Sequence, residues 1–466
     1  MNKNKITELY RRTQSSLKTI TVVGDCMLDE FYNGTISRIN PEHPSAIYKM
    51  TSSSPYKVVP GGAGNTIKQL DNFRCSTSLI SIINGYASNV LSKNNIDHVN
   101  SHISEDICVP LKRRYHSGET FLYRHDIEQK NYGKDSLSEI LSNLYVPESD
   151  VVIYSDYNKG VFSHPWFRKD MSNHISIVDP KSDIDKWHGC TIFKPNSKEA
   201  YELSGKSFWK DQLVFFMKTL ACKGCIITQS GDGVVGCYED EFFEVRPQKT
   251  IKFVENVSGA GDSFISMLAL CLAHEFDLQT ASEIAFLGGL SYVQRKHNQP
   301  NSILDLYNSC IDYDKIIEYP EILKESKNLV FTNGCFDILH PGHIQTLKFA
   351  KSKGDKLVVG VNSDESVKRL KGNERPINNL QSRMTALAEL EMVDYVVSFS
   401  EDTPLEVIKK IIPTSLVKGG DYKTKAIAGA DLVDNVYYAD FLNGHSTTNI
   451  IEKIKESLIP NALLKF

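Results

Sequence analysis

The chain has 466 residues, 41% of them hydrophobic and 24% charged, with a formal net charge of −4. Folded domains commonly hold roughly 100–200 residues, so two or three domains are expected, and the ordinary composition excludes long disordered tracts. The small charge excludes a basic surface for nucleic acid, and the longest apolar stretch, near Phe264–Leu272, is far shorter than the ~20 residues of a membrane helix.

From Met1 to Tyr10 no apolar signal core is present, and the ten cysteines are scattered rather than framed. A chain this long needs no disulfide staples, so a reduced, cytoplasmic enzyme with neither a membrane nor a nucleic-acid partner is expected. The first strand-like run is Ile20–Val23, followed by Asp25 and Asp29, carboxylates able to accept sugar hydroxyls. Extended pieces near Tyr48 and at Tyr56–Val59, broken by Thr51–Pro55, read as a hairpin of a small lid. Gly61-Gly62-Ala-Gly-Asn65 is a glycine turn that lets a polyol approach the backbone.

Strand-like runs recur at Val151–Tyr154, Ile175–Val178, Thr191–Phe193 and Ile226–Thr228, separated by helix-length segments, which predicts a parallel α/β sheet. Asn196 and Glu199 follow the third of these runs, and Ser230-Gly231-Asp-Gly233 follows the fourth, placed to line a nucleotide; an Asn after a strand is equally a helix cap. Cys222 and Cys225, just before Ile226-Ile227, read as core thiols. Asn256-Val-Ser-Gly259-Ala-Gly261-Asp262 leads into an apolar helix. Glycines there let N–H groups converge on an anion, while the aspartate can act as general base on a hydroxyl.

A boundary falls in the charged segment between about Ser309 and Ser326. The expected division is a first domain at 1–315, a linker at 316–327 and a second domain at 328–466. Strands are predicted at Leu329–Phe331, Leu357–Val361 and Tyr395–Val397. The first runs through Thr332, Asn333 and Gly334 into Cys335-Phe336-Asp337, and Pro341 opens a helix. His340 and His343 share its first turn and can donate to charge building on an α-phosphate. Asp364 ends the next strand, and Lys368, Lys371 and Arg375 are expected in a following loop. Lys418-Gly-Gly-Asp-Tyr422 is another strand-to-glycine turn, and Ser446, Thr447 and Thr448 open a last helix.

The second half resembles the cytidylyltransferase-like nucleotidyltransferases. On Asn333–His343, Arg375-Pro-Ile-Asn378, Glu401-Asp-Thr-Pro404, Lys418–Tyr422 and Ser446–Thr448 it resembles the heptose 1-phosphate adenylyltransferase domain. Relatives acting on glycerol phosphate usually carry an arginine where Ile451 stands, which favours the heptose branch and leaves Lys418 to meet phosphate charge. The first half resembles the ribokinase-like sugar kinases. On Gly24–Asp29, Ser37–Glu42, Gly61-Gly62 and Ser155-Asp-Tyr-Asn-Lys-Gly160 it is similar to the heptose 7-phosphate kinase branch. That likeness implies a distal phosphate on the sugar, for which Arg38, Lys112, Arg113 and Arg124 are suitable cations; spacing does not choose among them.

That resemblance implies a three-layer kinase fold with a small β lid, followed by a Rossmann-like domain. In the kinase it assigns Asp262 as base, Gly259 and Gly261 as anion hole, and Asn196 and Glu199 as a magnesium-linked pair, with Glu199 acting indirectly. It further implies ATP as substrate of both domains, Mg2+, a monovalent cation in the kinase, a homo-oligomer with a dimer favoured, and a separate phosphatase between the two steps. Many relatives carry an acidic residue where Asn256 stands. That departure leaves open a regulatory kinase module, and a second alternative, independent of it, is a kinase fused to a cytidylyl- or guanylyltransferase for another sugar phosphate.

Overall fold

The structure, a computed structural model, describes all residues except 1–2, 129–140, 164, 172, 248–256, 296–298, 311–314, 421–425, 441–446, 448–449, 452 and 454–466. It comprises two units, Met1–Ile311 and Asp312–Phe466.

The first unit contains strands β1 (Lys18–Gly24), β2 (Cys26–Ile39), β3 (Ala46–Met50), β4 (Lys57–Gly62) and β5 (Cys75–Ile80), then the short pair β6 (Ile82–Ile83) and β7 (His102–Ile103). It continues with β8 (Leu111–Ser117), β9 (Thr120–Ile127), β10 (Val151–Ser155), β11 (Ile175–Asp179), β12 (Ile192–Phe193), β13 (Gly224–Thr228), β14 (Val234–Tyr238) and β15 (Glu241–Val245). Eight of these form one sheet in the order β15-β14-β13-β12-β11-β10-β1-β5. Its pairs are parallel except β13–β14 and β14–β15. The predicted runs lie within it, save Thr191, which precedes β12. They read as continuous apolar stretches because helices cover such a sheet on both faces: Val151–Tyr154 and Ile177-Val178 are buried throughout.

Between β1 and β2 the chain leaves this sheet for a second one. A side chain at Gly24 would collide with the Ser155 carbonyl oxygen, so the departure requires glycine. The second sheet runs β3-β2-β8-β9, with β4 also on β2. Here the expected hairpin is corrected: β3 and β4 do not pair with each other but lie along successive halves of the 14-residue β2, opposite Gly34–Ile39 and Cys26–Phe31. A strand long enough to template two partners was invisible behind the Thr51–Pro55 break.

The second unit has one parallel sheet, β18-β17-β16-β19-β20, built from β16 (Leu329–Gly334), β17 (Lys356–Asn362), β18 (Tyr395–Phe399), β19 (Ser415–Gly419) and β20 (Asn435–Ala439). Val330, Leu347, Leu357, Val359, Val361, Leu387 and Val417 form its buried core. Strand order reverses between β16 and β19, and ligands of such sheets bind at the carboxyl ends flanking that point. Residues of the expected linker pack on this unit. Ile316 bridges to Val396, the Ile317 N–H donates to the Val396 carbonyl, and Ile322 and Leu323 are buried.

Candidate active sites

In the first unit the site lies where both sheets meet the start of the helix Ala260–Ala273. Its cap, Gly259, has φ 89°, and a Cβ there would stand 2.7 Å from Tyr292 Oη, so only glycine fits. A Cβ at Gly261 would meet nothing within 4 Å, leaving open space at the helix start, where anions are favoured. Asp262 is buried, and each of its oxygens accepts one hydrogen bond: Oδ2 from Asn65 Nδ2 at 2.6 Å and Oδ1 from Tyr157 Oη at 2.5 Å. Burial raises its pKa, while those two bonds and the charges of Lys112 and Lys194 oppose the rise. Asp179 is likewise pushed up to about 6 by burial, although Lys194 Nζ stands 2.8 Å from it.

Strand alternation sorts the candidate phosphate ligands. Asp29 on β2 lies opposite Lys112 on β8, and Arg114, two residues on, shares that face; its Nη2 is 2.7 Å from Asp29 Oδ1. Arg113 points to the other face and pairs with buried Glu30 at 2.8 Å. Arg38 is exposed nine residues along β2 from Asp29, roughly 30 Å at strand rise, too far for one sugar phosphate to bridge both. Arg124 is exposed and bonds Asp126 on its own strand. The geometry therefore leaves Lys112 from the original candidates and adds Arg114, which only the period-two alternation of Lys112-Arg113-Arg114 could have separated from Arg113. Gly61 and Gly62 do sit against the carboxylate strand: a Cβ on Gly61 would be 2.7 Å from Asp29 Oδ2.

Asp25 needs correction. Its buried carboxylate accepts the backbone N–H groups of Tyr157 (2.9 Å), Lys159 (3.0 Å) and Val161 (3.1 Å). Burial and the nearby Asp156 raise its pKa to about 6, and the three N–H groups pull against them. The residue expected to take a sugar hydroxyl instead anchors the loop after β10.

Asn196 and Glu199 form a capping box on the helix Ser197–Ser204. The second Glu199 oxygen is 2.9 Å from Lys181 Nζ. Among the described residues no group of three metal-binding side chains exists. Both Glu199 oxygens are engaged, Oε2 by the Asn196 N–H at 3.0 Å and Oε1 by Lys181. Ser230 and Gly231 lie in a tight turn after β13, and Gly233 (φ 114°) leaves no room for a Cβ against the Val245 carbonyl oxygen. Beside them a cavity of about 590 Å3 is lined by Ser197, Gln229, Asp232, Arg246 and Pro247, within the size range of small-molecule sites. Asn256 lies outside the described residues.

In the second unit Thr332, Asn333 and Gly334 end β16, and Phe336 takes φ 48° in the turn beyond. His340 caps the helix Pro341–Lys351. The His340 and His343 rings stack with centroids 3.8 Å apart, and Phe336 flanks His343 at 5.1 Å. Burial and the neighbouring His340 push the His343 pKa down to about 4, so at neutral pH it is an uncharged imidazole with one N–H to donate. Lys418, at the end of β19, donates from Nζ to Asn333 Oδ1, spanning the point where strand order reverses.

Two expectations change. Asp364 opens the helix Asp364–Lys371, and its Oδ1 accepts from the fully buried Arg383 at 2.7 Å, so this carboxylate is already engaged. Lys368 and Lys371 lie in the last turn of that helix, not in a loop, because the capping serine Ser363 starts it early. The loop proper begins at Gly372, and Asp337 fastens it: Oδ2 accepts from Arg375 Nε (2.5 Å) and the Ile377 N–H (2.9 Å), and Oδ1 from the Asn378 N–H (2.8 Å). Burial opposes the charge, but these donors hold Asp337 below the ordinary carboxylate range. Arg383 ties the same elements together through the carbonyls of Asn378 (3.0 Å) and Cys335 (2.6 Å). Thr447 Oγ1 lies 3.5 Å from the Ile338 carbonyl oxygen, beside the histidine turn. Ser446, Thr448, Asp421 and Tyr422 lie outside the described residues.

The two folds and their sites define a carbohydrate kinase joined in one chain to a nucleotidyltransferase. The model of the pfkB family of carbohydrate kinases matches residues 19–302, and the cytidylyltransferase-like model matches residues 331–453. The Bifunctional protein HldE of a Nitratiruptor species is 35% identical over 94% of this chain and 99% of that protein. The protein of that name from Campylobacter jejuni is 36% identical over 94% and 97%. The chain belongs to this HldE family and is a bifunctional enzyme. Among solved structures, phosphofructokinase-2 from Escherichia coli in complex with potassium matches at TM-score 0.52 and 18% identity, covering 62% of this chain and 97% of that one; the likeness shows the kinase fold.

Proposed function

We propose that the first unit uses MgATP to phosphorylate C1 of D-glycero-β-D-manno-heptose 7-phosphate, and that the second joins heptose 1-phosphate to AMP from ATP, releasing pyrophosphate. The observation that carries this is the pair of sites in one chain: a buried, doubly oriented Asp262 at one helix start and stacked histidines at another.

In the kinase, Asp262 takes the proton from the C1 hydroxyl as the new O–P bond forms and the bond from Pγ to the ADP oxygen breaks. N–H groups at Gly259 and Gly261 hold the transferring phosphoryl, and Asp29, Asn65, Gly61 and Gly62 receive the sugar. Lys112 and Arg114 meet its distal phosphate, while Asn196, Glu199 and the Ser230–Gly233 turn face MgATP. In the transferase, His340, His343 and Lys418 donate to the α-phosphate under attack, and Thr332–Phe336, Lys371 and Ser446–Thr448 line the nucleotide.

The remaining parts of the reading are a monovalent cation near residue 256, a dimeric assembly, a cytoplasmic location, and a separate phosphatase that removes the 7-phosphate between the steps. The ten cysteines, none of them in a disulfide, suit a reducing compartment. Purified protein given heptose 7-phosphate and ATP, with and without added phosphatase, should yield ADP in both cases and ADP-heptose only with the phosphatase. With heptose 1-phosphate and ATP, CTP or GTP, a preference for CTP would overturn the nucleotide assignment.

A further inference from the structure

A general base buried in a protein is drawn toward its protonated, useless form. Asp262 is in that position, and its surroundings are mixed. Lys112 of β8 and Lys194 after β12 favour its charge, while Asp179 of β11 opposes it and Tyr292 of the helix Leu278–Val293 faces it. The strongest direct contacts are the two hydrogen bonds from Asn65 and Tyr157.

Tyr157 comes from the loop after β10, and that loop is built to hold it. Three alternate N–H groups, of Tyr157, Lys159 and Val161, converge on Asp25. The Asp156 N–H donates to the Asp179 carbonyl at 3.0 Å, and the Asp156 side chain caps the Asn158 N–H at 2.8 Å and meets Lys186 Nζ at 2.6 Å. The backbone on both sides of Tyr157 is thus fixed, and the phenol reaches Asp262 across 105 residues of sequence.

We propose that Tyr157 is a positioning residue of the kinase: its hydroxyl keeps Asp262 ionised and turns the carboxylate's remaining lone pairs toward the acceptor hydroxyl. The inference rests on the reading of Asp262 as the base. The phenol itself stays protonated, because burial and the charge of Asp262 push its own ionisation well up, so it donates at every pH at which the enzyme works. Asn65, a neutral amide, orients the other oxygen.

The test is Tyr157→Phe, which keeps the ring and leaves the backbone anchor on Asp25 intact, with Tyr157→3-fluorotyrosine as the opposing variant whose more acidic phenol donates more strongly. Carboxyl 13C NMR of aspartate-labelled full-length protein reads Asp262 directly, its resonance identified by its loss in Asp262→Asn. In Tyr157→Phe the Asp262 titration is expected to move up by about one pH unit, the equivalent of about 1.4 kcal/mol, and the acid limb of kcat/KM for phosphorylation should move with it. The fluorinated protein should move both the other way. A Phe variant that folds, as judged by its unfolding transition, yet leaves titration and limb where they were would overturn the inference. Wild-type protein that phosphorylates no heptose 7-phosphate would sink the substrate reading alone, since the NMR titration still decides what Tyr157 does.

Discussion

Asp337→Asn is the substitution whose consequences the structure defines most closely. The carboxylate is fully buried and accepts two backbone N–H groups and one guanidinium N–H, all at 2.5–2.9 Å. Hydrogen bonds to charged groups each contribute about 1.5–3 kcal/mol. An amide in its place directs an NH2 at donors that have nowhere to turn, and Arg375 loses its counter-charge. Because the three bonds share one acceptor they are not additive, so the expected cost is about 3–5 kcal/mol, the range for breaking a buried ion pair from one side. Arg375→Gln leaves both backbone bonds in place but takes the counter-charge from a buried carboxylate, and should cost about 1.5–3 kcal/mol, one charged hydrogen bond's worth, with the double variant cheaper than the sum. The contribution has a pH signature. The folded pKa lies below the usual value, so the stabilisation is complete above the unfolded pKa of about 4 and fades as pH falls through the folded one. Urea unfolding of the full chain, following the transition that reports the second unit, measures each value. If Asp337→Asn costs less than about 1 kcal/mol, the claim that this carboxylate fastens the 375–378 loop fails.

Asp262→Asn should abolish ADP formation from heptose 7-phosphate and leave adenylyl transfer from ATP to heptose 1-phosphate unchanged; loss of both in a folded variant would refute separate sites. His343→Ala should lower kcat for adenylyl transfer by about 10²-fold, the usual effect of removing one oxyanion donor. Since the His343 pKa is pushed down to about 4, protonation of this residue should add no acid limb between about pH 5.5 and 8; a limb near about pH 6.5 that vanishes in His343→Asn would contradict that. Arg114→Gln should raise KM for the sugar phosphate by about tenfold, one charge-assisted bond's worth, and Arg113→Gln should not, because Arg113 faces Glu30.

How much was legible followed from how local each feature is. The helix starts at Gly259 and His340 need their glycines, proline and reacting side chains within a few residues, so the motifs announce themselves. Buried parallel strands announce themselves too, as unbroken apolar runs. What could not be read is contact between distant segments: Arg383 reaches Cys335 across 48 residues, and Arg114 reaches Asp29 across 85. The small sheet was misread for a related reason, since β3 and β4 share a partner, β2, that lies before them both.

Asp25, expected to take a sugar hydroxyl, and Asp337 share a physical logic. A site at strand ends needs loops that hold still, and a loop has backbone N–H groups without ladder partners. A buried carboxylate can gather several of them at once. Asp25 does this for the loop carrying Tyr157, and Asp337 for the loop carrying Arg375. In sequence, such an aspartate just after a strand is indistinguishable from one that binds a sugar or nucleotide, because both sit at the same end of the same strand. Only the count of N–H groups it already accepts separates them: three at Asp25 leave little for a sugar hydroxyl, whereas Asp29, bonded only by Arg114 among the described residues, keeps Oδ2 beside Gly61 for a ligand.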